Sequence, residues 1–207
     1  MTKLSPVLGV TTSLLLLAVL PLRAGIVANA SFENGAPCHA TVASPCPGQS
    51  PWVFTPASSG SALNVIGGLG SAPGGGSNFV RFGGVIDGSY DTVSQVLTTT
   101  SGQLYDLTFW LYTADGNADA DFRALWDGVV VYDNPAGTDS AHQFPWTQIT
   151  VSSLSGTGSD LLAFQAYNPP ADTRLDLVDV QPVSAPEPAS WVLMSIGALA
   201  IAYRRLR

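Results

Sequence analysis

Leu104-Tyr105-Asp106-Leu107-Thr108-Phe109-Trp110-Leu111-Tyr112 is the stretch that decides how the chain folds. Side chains of an extended strand alternate between two faces. Tyr105, Leu107, Phe109 and Leu111 therefore share one face, predicted to be core, while Asp106, Thr108, Trp110 and Tyr112 share the other. On both sides of this stretch the chain repeats the theme in short β-rich runs bounded by Gly, Pro, Asn, Asp and Ser. Strands are expected at 26–33, 52–55, 62–66, 78–82, 91–98, 104–112, 120–126, 129–132, 146–151, 161–167 and 174–180. Asp127-Gly128 between two apolar runs signals a two-residue hairpin, because a type I′ turn needs positive φ at both positions. Residues 67–76 hold six glycines and are expected to form a loop without regular structure. There is no internal repeat and no long 3.6-residue periodicity between 25 and 183. The expected fold is all-β, two packed antiparallel sheets in a sandwich or jelly roll occupying residues 25–180.

Composition agrees with that class and removes others. Charged residues are 11% of the 207, against a usual share of about 25%, while the 21 Gly and 15 Pro favour turn-rich β structure. The net charge of −7 conceals an asymmetry: Lys3 and Arg23 lie at one end and Arg204, Arg205 and Arg207 at the other. Residues 25–186 keep Arg81, Arg123 and Arg174 against fourteen acids, a net −11. A broad basic face for nucleic acid is excluded by that balance.

The ends read as addresses rather than as fold. Residues 1–24 have a cation at Lys3, the apolar run 14–20, Pro21 and a small residue at Ala24, the layout of a secretory signal peptide that forms a signal helix. Cleavage is expected after Ala24, with Ala28 as the alternative, and an uncleaved anchor as the competing interpretation. Residues 181–189 form a Pro-rich linker, and 190–203 an apolar helix flanked by Trp191 and Tyr203 and followed by Arg204, Arg205 and Arg207. That pattern suits a single transmembrane helix with its C-terminus inside. Residues 186–207, with Pro186-Glu187-Pro188, a nearby Trp, a short helix of small residues and a basic end, resemble the PEP-CTERM sorting signal of Gram-negative bacteria. The resemblance implies transient membrane anchoring, recognition by an exosortase, removal of the tail, and delivery to the cell surface or exopolysaccharide matrix. A permanent anchor is the plainer alternative.

A second resemblance covers the middle. Asn29-Ala30-Ser31-Phe32-Glu33, the segment from Gly102 to Trp110, Phe122 through Trp126-Asp127-Gly128, Trp146-Thr147-Gln148 and Leu175-Asp176-Leu177-Val178 are similar, in order and spacing, to the galactose-binding-like jelly rolls, which include many carbohydrate-binding modules. The likeness bears on the fold and leaves the ligand open. It implies a structural Ca²⁺ at Glu33 and Asp176, which match positions where such modules tie their terminal strands together. Those modules usually carry a second acid directly after the matching Asp, where this chain has Leu177. A solvated acidic sheet edge is the alternative.

Material for catalysis is sparse. His39 and His142 stand in loop-like sequence outside any hydrolase or metalloprotease motif, no Ser occupies a G-x-S-x-G elbow, and Gly74-Gly75-Gly76 lacks the Lys of a phosphate loop. Cys38 and Cys46, the only cysteines, lie in a Pro-rich loop; in an exported protein they are expected to form a disulfide rather than a Zn²⁺ site, for which only His39 is near. The run from Asp115 to Asp121 mimics the start of an EF-hand loop, but Ala120 replaces the required Gly and Trp126 the bidentate Glu. It is expected to be a polar loop.

Carbohydrate is the remaining candidate. The face of 104–112 with Trp110 and Tyr112 combines polar groups with rings that stack on sugars, and 161–167 alternates similarly, with Leu162, Phe164 and Ala166 inward and Gln165 and Tyr167 outward. If both strands line one concave sheet, Trp110, Tyr112, Gln165 and Tyr167 form a glycan platform; the alternative is packing under a long loop. Trp52, Trp126 and Trp146 are expected to plug the sandwich or its ends. The leading expectation is a non-enzymatic exported surface or matrix protein that binds extracellular polysaccharide. A structural or adhesive matrix protein without a saccharide site comes second, and a polysaccharide-active enzyme third.

Overall fold

The computed structural model describes residues 25–42, 44, 46–68, 70–83, 89–113, 121–134, 144–167, 171–184 and 204. Eleven strands are formed: β1 (Cys38–His39), β2 (Val53–Thr55), β3 (Asn64–Gly67), β4 (Asn78–Phe82), β5 (Asp91–Thr98), β6 (Leu104–Thr113), β7 (Asp121–Trp126), β8 (Val129–Asn134), β9 (Phe144–Ser155), β10 (Ser159–Tyr167) and β11 (Thr173–Pro182). They make a six-stranded sheet in the order β1-β3-β4-β11-β6-β9 and a five-stranded sheet in the order β2-β5-β10-β7-β8. Every pairing between these strands is antiparallel.

The alternation within β6 is as expected: Tyr105, Leu107, Phe109 and Leu111 are buried, and Asp106, Thr108, Trp110 and Tyr112 half-buried on the outside. Phe109 is the centre of the core, with ring centroids 5.2 Å from Phe164 and 5.8 Å from Phe122, both carried by the opposite sheet. Trp52 and Trp126 also pack into this core, and each indole is satisfied by a carbonyl: Trp52 Nε1 donates to Asn29 O at 2.9 Å and Trp126 Nε1 to Ser155 O at 3.0 Å. At the hairpin from β7 to β8, Asp127 and Gly128 have φ of 51° and 79°, the geometry their sequence demands. Cys38 and Cys46 are joined in a disulfide with Cα atoms 5.6 Å apart, closing the loop that leads into β2.

The strand expected at 26–33 is not formed. Ile26 donates to Val180 O at 3.1 Å and Val178 to Ala30 O at 2.9 Å, so the segment borders β11, but it coils through turns with positive φ at Asn29 and Phe32. The cause is the side-chain chemistry of Asn29: its Oδ1 accepts the Asn34 N–H at 3.0 Å, and its Nδ2 donates to Gln49 Oε1, twenty residues on, at 2.9 Å. Asn competes for the backbone in this way wherever a turn is available. Phe32 is still delivered to the core against Trp52. Among the described residues no helix is long and apolar enough to cross a membrane. The expected signal helix (1–24) and most of the sorting tail, including Pro186, Glu187, Pro188 and Arg205, lie outside the described residues, as do His142 and the polar loop at 114–120.

Candidate functional site

The four residues expected to share one platform are divided between the two sheets. Trp110 and Tyr112 lie on the outer face of the six-stranded sheet, whereas Gln165 and Tyr167 belong to β10 in the five-stranded sheet. Trp110, Tyr112 and Gln165 are half-buried on the outer faces and Tyr167 is buried, and the core lies between the two pairs. The joint platform is therefore not formed. Period-two patterning fixes the face of a strand, while the choice of sheet depends on pairing between segments far apart in the chain.

Around Tyr112 the outer face of the six-stranded sheet carries a site that the alternation of single strands did not disclose. In β4, Val80 and Phe82 enter the central core, so Phe79 and Arg81 lie on the other face, where Arg81 is half-buried and Phe79, only 2% exposed, is covered by its neighbours. In register across the sheet, Asn64, Arg81, Arg174 and Tyr112 form one row, and Asp176 lies opposite Trp110. Trp146, from β9, reaches over this row: its ring centroid lies 5.8 Å from Tyr112 and 6.0 Å from Phe79. It was expected to plug the sandwich and instead stands outside it, half-buried, because its Nε1 donates to Gly70 O at 2.7 Å and its ring finds aromatic neighbours there. The Arg174 guanidinium lies 4.6 Å from the Tyr112 centroid and 5.3 Å from that of Phe79, close enough for cation–π attraction to both. Arg174 Nε donates to Asp172 at 2.5 Å, and Arg81 Nε lies 3.6 Å from the same carboxylate. Ile66, Phe79, Arg81, Asp172 and Arg174 enclose an open cavity of about 200 Å³. The only hint in sequence was scarcity: two of the three cations of residues 25–186 alternate with outward-facing positions of two strands.

Beside this cavity lies the acid pair. Asp176 is fully buried and accepts the N–H of Ala72 at 3.0 Å and of Leu177 at 2.7 Å; Glu33 Oε1 accepts those of Ser77 and Asn78 at 2.7 and 2.5 Å. Leu177 has φ 48° within a register shift between Asp176 and Asp179, a bulge that sets Asp176 against the loop. Both carboxylates are thus wrapped by the glycine-rich segment. A Cβ on Gly75 would collide with the Asp176 carboxylate, and one on Gly76 would come 2.6 Å from Glu33 Oε1, so these glycines permit a close approach. Burial, reinforced by the charge of Glu33 and opposed by the two N–H donors, pushes Asp176 up to about 7. The donor set is all oxygen, which suits a hard cation. Among the described residues no group of three or more His, Cys, Asp or Glu side chains gathers anywhere, so an ion here would complete its shell with backbone carbonyls and water.

The opposite outer face is different in kind. Val53, Ser94, Ala163, Leu125 and Val130 form one row across the five-stranded sheet, and Thr55, Thr92, Gln165, Arg123 and Asp133 the next. Tyr167 is buried against Tyr90, centroids 5.1 Å apart; the Tyr90 hydroxyl donates to Asp121, and Arg123 covers the Tyr90 ring at 4.7 Å while bridging Asp121 at 2.8 Å. Tyr167 is therefore committed to packing. His39, on edge strand β1, hydrogen-bonds Asn64 through Nδ1 and has no nucleophile or metal partner in the described contacts.

No protein-family model matches the sequence, and no curated protein matches it. Solved structures do share the fold. TmCBM61, determined in complex with β-1,4-galactotriose, is 15% identical with a TM-score of 0.51, the match covering 77% of this chain and 99% of that one. The K1 cleaved adhesin domain of Lys-gingipain from Porphyromonas gingivalis W83 is 16% identical with a TM-score of 0.50, over 72% of this chain and 100% of that domain. The chain accordingly shares the jelly-roll β-sandwich fold of these structures, the fold that the resemblance in its middle implied.

Proposed function

We propose that the protein is an exported, non-catalytic module that binds polysaccharide on the outer face of its six-stranded sheet, at Tyr112, Trp146 and the adjoining cavity. The observation that carries this reading is the pairing of Tyr112 and Trp146, both half-buried outside the core and backed by the buried Phe79 ring, beside an opening lined by Ile66, Phe79, Arg81, Asp172 and Arg174. Rings at an opening offer a sugar an apolar face, and the flanking polar groups fix its orientation. A solved protein of this fold holds a galactotriose, which makes the fold compatible with the role without assigning it. Trp110, one pair of residues along β6, extends the surface toward Gln148. Gln165 and Tyr167 are left out of the site.

Glu33 and Asp176 are proposed to hold a structural Ca²⁺, which would neutralise the buried Asp176 and the exposed Glu33 beside it, whose described hydrogen bonds come only from backbone N–H donors. The ion would stiffen the glycine-rich loop. For the ends, the sequence supports export through the inner membrane and sorting by an exosortase at Pro186-Glu187-Pro188, with the apolar helix and Arg204 and Arg205 halting translocation. A disulfide in the folded part fits an oxidising destination. The test of the central claim is affinity electrophoresis of the full chain through gels containing plant and bacterial polysaccharides. Retention by at least one polymer, lost in Tyr112→Ala and Trp146→Ala, is the expected outcome; absence of retention on every polymer abandons the claim in favour of a structural or adhesive matrix role.

A further inference from the structure

The cavity beside the aromatic rings has a composition that a site for neutral sugar does not need. Arg81 and Arg174 are two of the three cations among residues 25–186, and both meet there. They face a single carboxylate, Asp172, whose side chain is 13% exposed, whereas that of Arg81 is 36% exposed. Within the cavity lining the charge is two against one, with Glu33 and Asp176 beside it, inside a domain that is otherwise strongly acidic. Arg174 is held by three partners, the Tyr112 and Phe79 rings and Asp172, so its fork is oriented before any ligand arrives. Arg81 reaches Asp172 only at 3.6 Å, beyond hydrogen-bond distance, and retains capacity for another acceptor. Guanidinium groups match planar carboxylates through paired N–H donors, and hydroxyl recognition makes no such demand.

Resting on the glycan reading of the same face, we infer that the ligand is an acidic polysaccharide whose uronate carboxylate docks between Arg81 and Arg174, with the sugar ring against the half-buried Trp146, which Phe79 supports from within. The cavity of about 200 Å³ is below the range of about 300–1,000 Å³ typical of drug-sized pockets and suits one ring bearing a charged substituent. Asp172 then acts as an internal competitor: it holds both arginines in place and must share them with the incoming carboxylate. The surrounding negative charge repels acidic polymers from the rest of the surface, so recognition is confined to this one positive island.

The experiment uses the full chain, solubilised in mild detergent, in affinity gels of polygalacturonate and alginate, of the same polymers after carboxyl reduction, and of a sulfated galactan. Retention by at least one uronate polymer is expected, at least tenfold stronger than by its reduced form. Arg81→Gln should erase that preference while leaving residual binding to the reduced polymer. Asp172→Asn should strengthen uronate binding severalfold, an effect that a merely folding-defective variant cannot produce. Equal retention of acidic and reduced polymers, or a preference untouched by Arg81→Gln, overturns the acidic assignment and leaves the glycan reading standing. Binding to the sulfated polymer alone overturns the carboxylate assignment. Failure of every polymer, acidic and neutral, overturns the glycan reading itself.

Discussion

The two outer faces of the sandwich are built by the same alternation and have opposite characters. Across the six-stranded sheet the outward positions are filled by Phe79, Arg81, Tyr112, Trp146 and Arg174, which pack on one another and leave an opening. Across the five-stranded sheet the most exposed of them are valines: Val53 is 57% exposed, Val96 67% and Val130 45%. Valine and threonine on a pleated surface serve strand propensity. Aromatic rings and arginines placed outside a core serve contact with something else, which is why function is assigned to one face and the other is read as sheet.

The largest test of that contrast is Trp146→Ala. Loss of the indole should weaken polysaccharide retention by at least tenfold and move the melting temperature little, since Trp146 stands outside the core cluster. Val53→Thr and Val130→Thr, on the opposite face, should leave retention unchanged in the same gel. Equal losses from both faces would dissolve the distinction.

Next in size is the effect of the acid pair, which connects to the binding face through the loop: Ala72 N–H holds Asp176, and Gly70 O holds the Trp146 indole. In chelator, Asp176 titrates near 7 when folded and at an ordinary carboxylate value near 3.9 when unfolded. The folded state binds the extra proton between those values, so stability is greatest at the acid end and falls as pH rises from about 4 to about 7, then levels. Each unit of that shift is worth about 1.4 kcal/mol. Adding Ca²⁺ should raise the melting temperature at pH 8 and flatten the decline, and Asp176→Asn should abolish both responses. Identical melting curves with Ca²⁺ and with chelator would remove the ion from the account.

Much of this contrast was present in the sequence, and the missing part has a definite cause. The limits of β4 and β5, the two faces of β6 and the Asp127-Gly128 hairpin follow from period and turn chemistry, which are local. The turns at 28–35 were hidden because Ile26, Ala28, Ala30 and Phe32 alternate like a strand, while the deciding contact, Asn29 with Gln49, spans twenty residues. The convergence of Glu33 with Asp176 was accessible only through resemblance. The gathering of Phe79, Trp146 and Arg174 had no signal beyond the scarcity of cations, since it depends on β4, β9 and β11 taking places in one sheet. The same dependence separated Trp110 and Tyr112 from Gln165 and Tyr167.

The smallest expected effect lies on the five-stranded face and is the most discriminating control for its reading as structure. Tyr90 has an aromatic neighbour, an arginine over its ring and a hydroxyl bonded to Asp121, a grouping that superficially resembles the binding cluster on the other side. Here, however, the two tyrosines and Asp121 are engaged with one another. Asp121 is buried and takes both the Tyr90 hydroxyl and Arg123 on Oδ2, Arg123 spans Asp121 and Asp133, and Tyr167 is covered, so these groups are engaged with one another. Burial and the adjoining Asp121 raise the Tyr90 phenol above its ordinary range, which keeps it a neutral donor at any physiological pH. Tyr90→Phe removes that donor from a buried carboxylate that still has Arg123. It should cost about 1 kcal/mol of stability, read as a small fall in the urea midpoint, with no change in polysaccharide retention. A loss of retention from this substitution would mean that the five-stranded face also takes part in binding, and the functional asymmetry between the sheets would have to be given up.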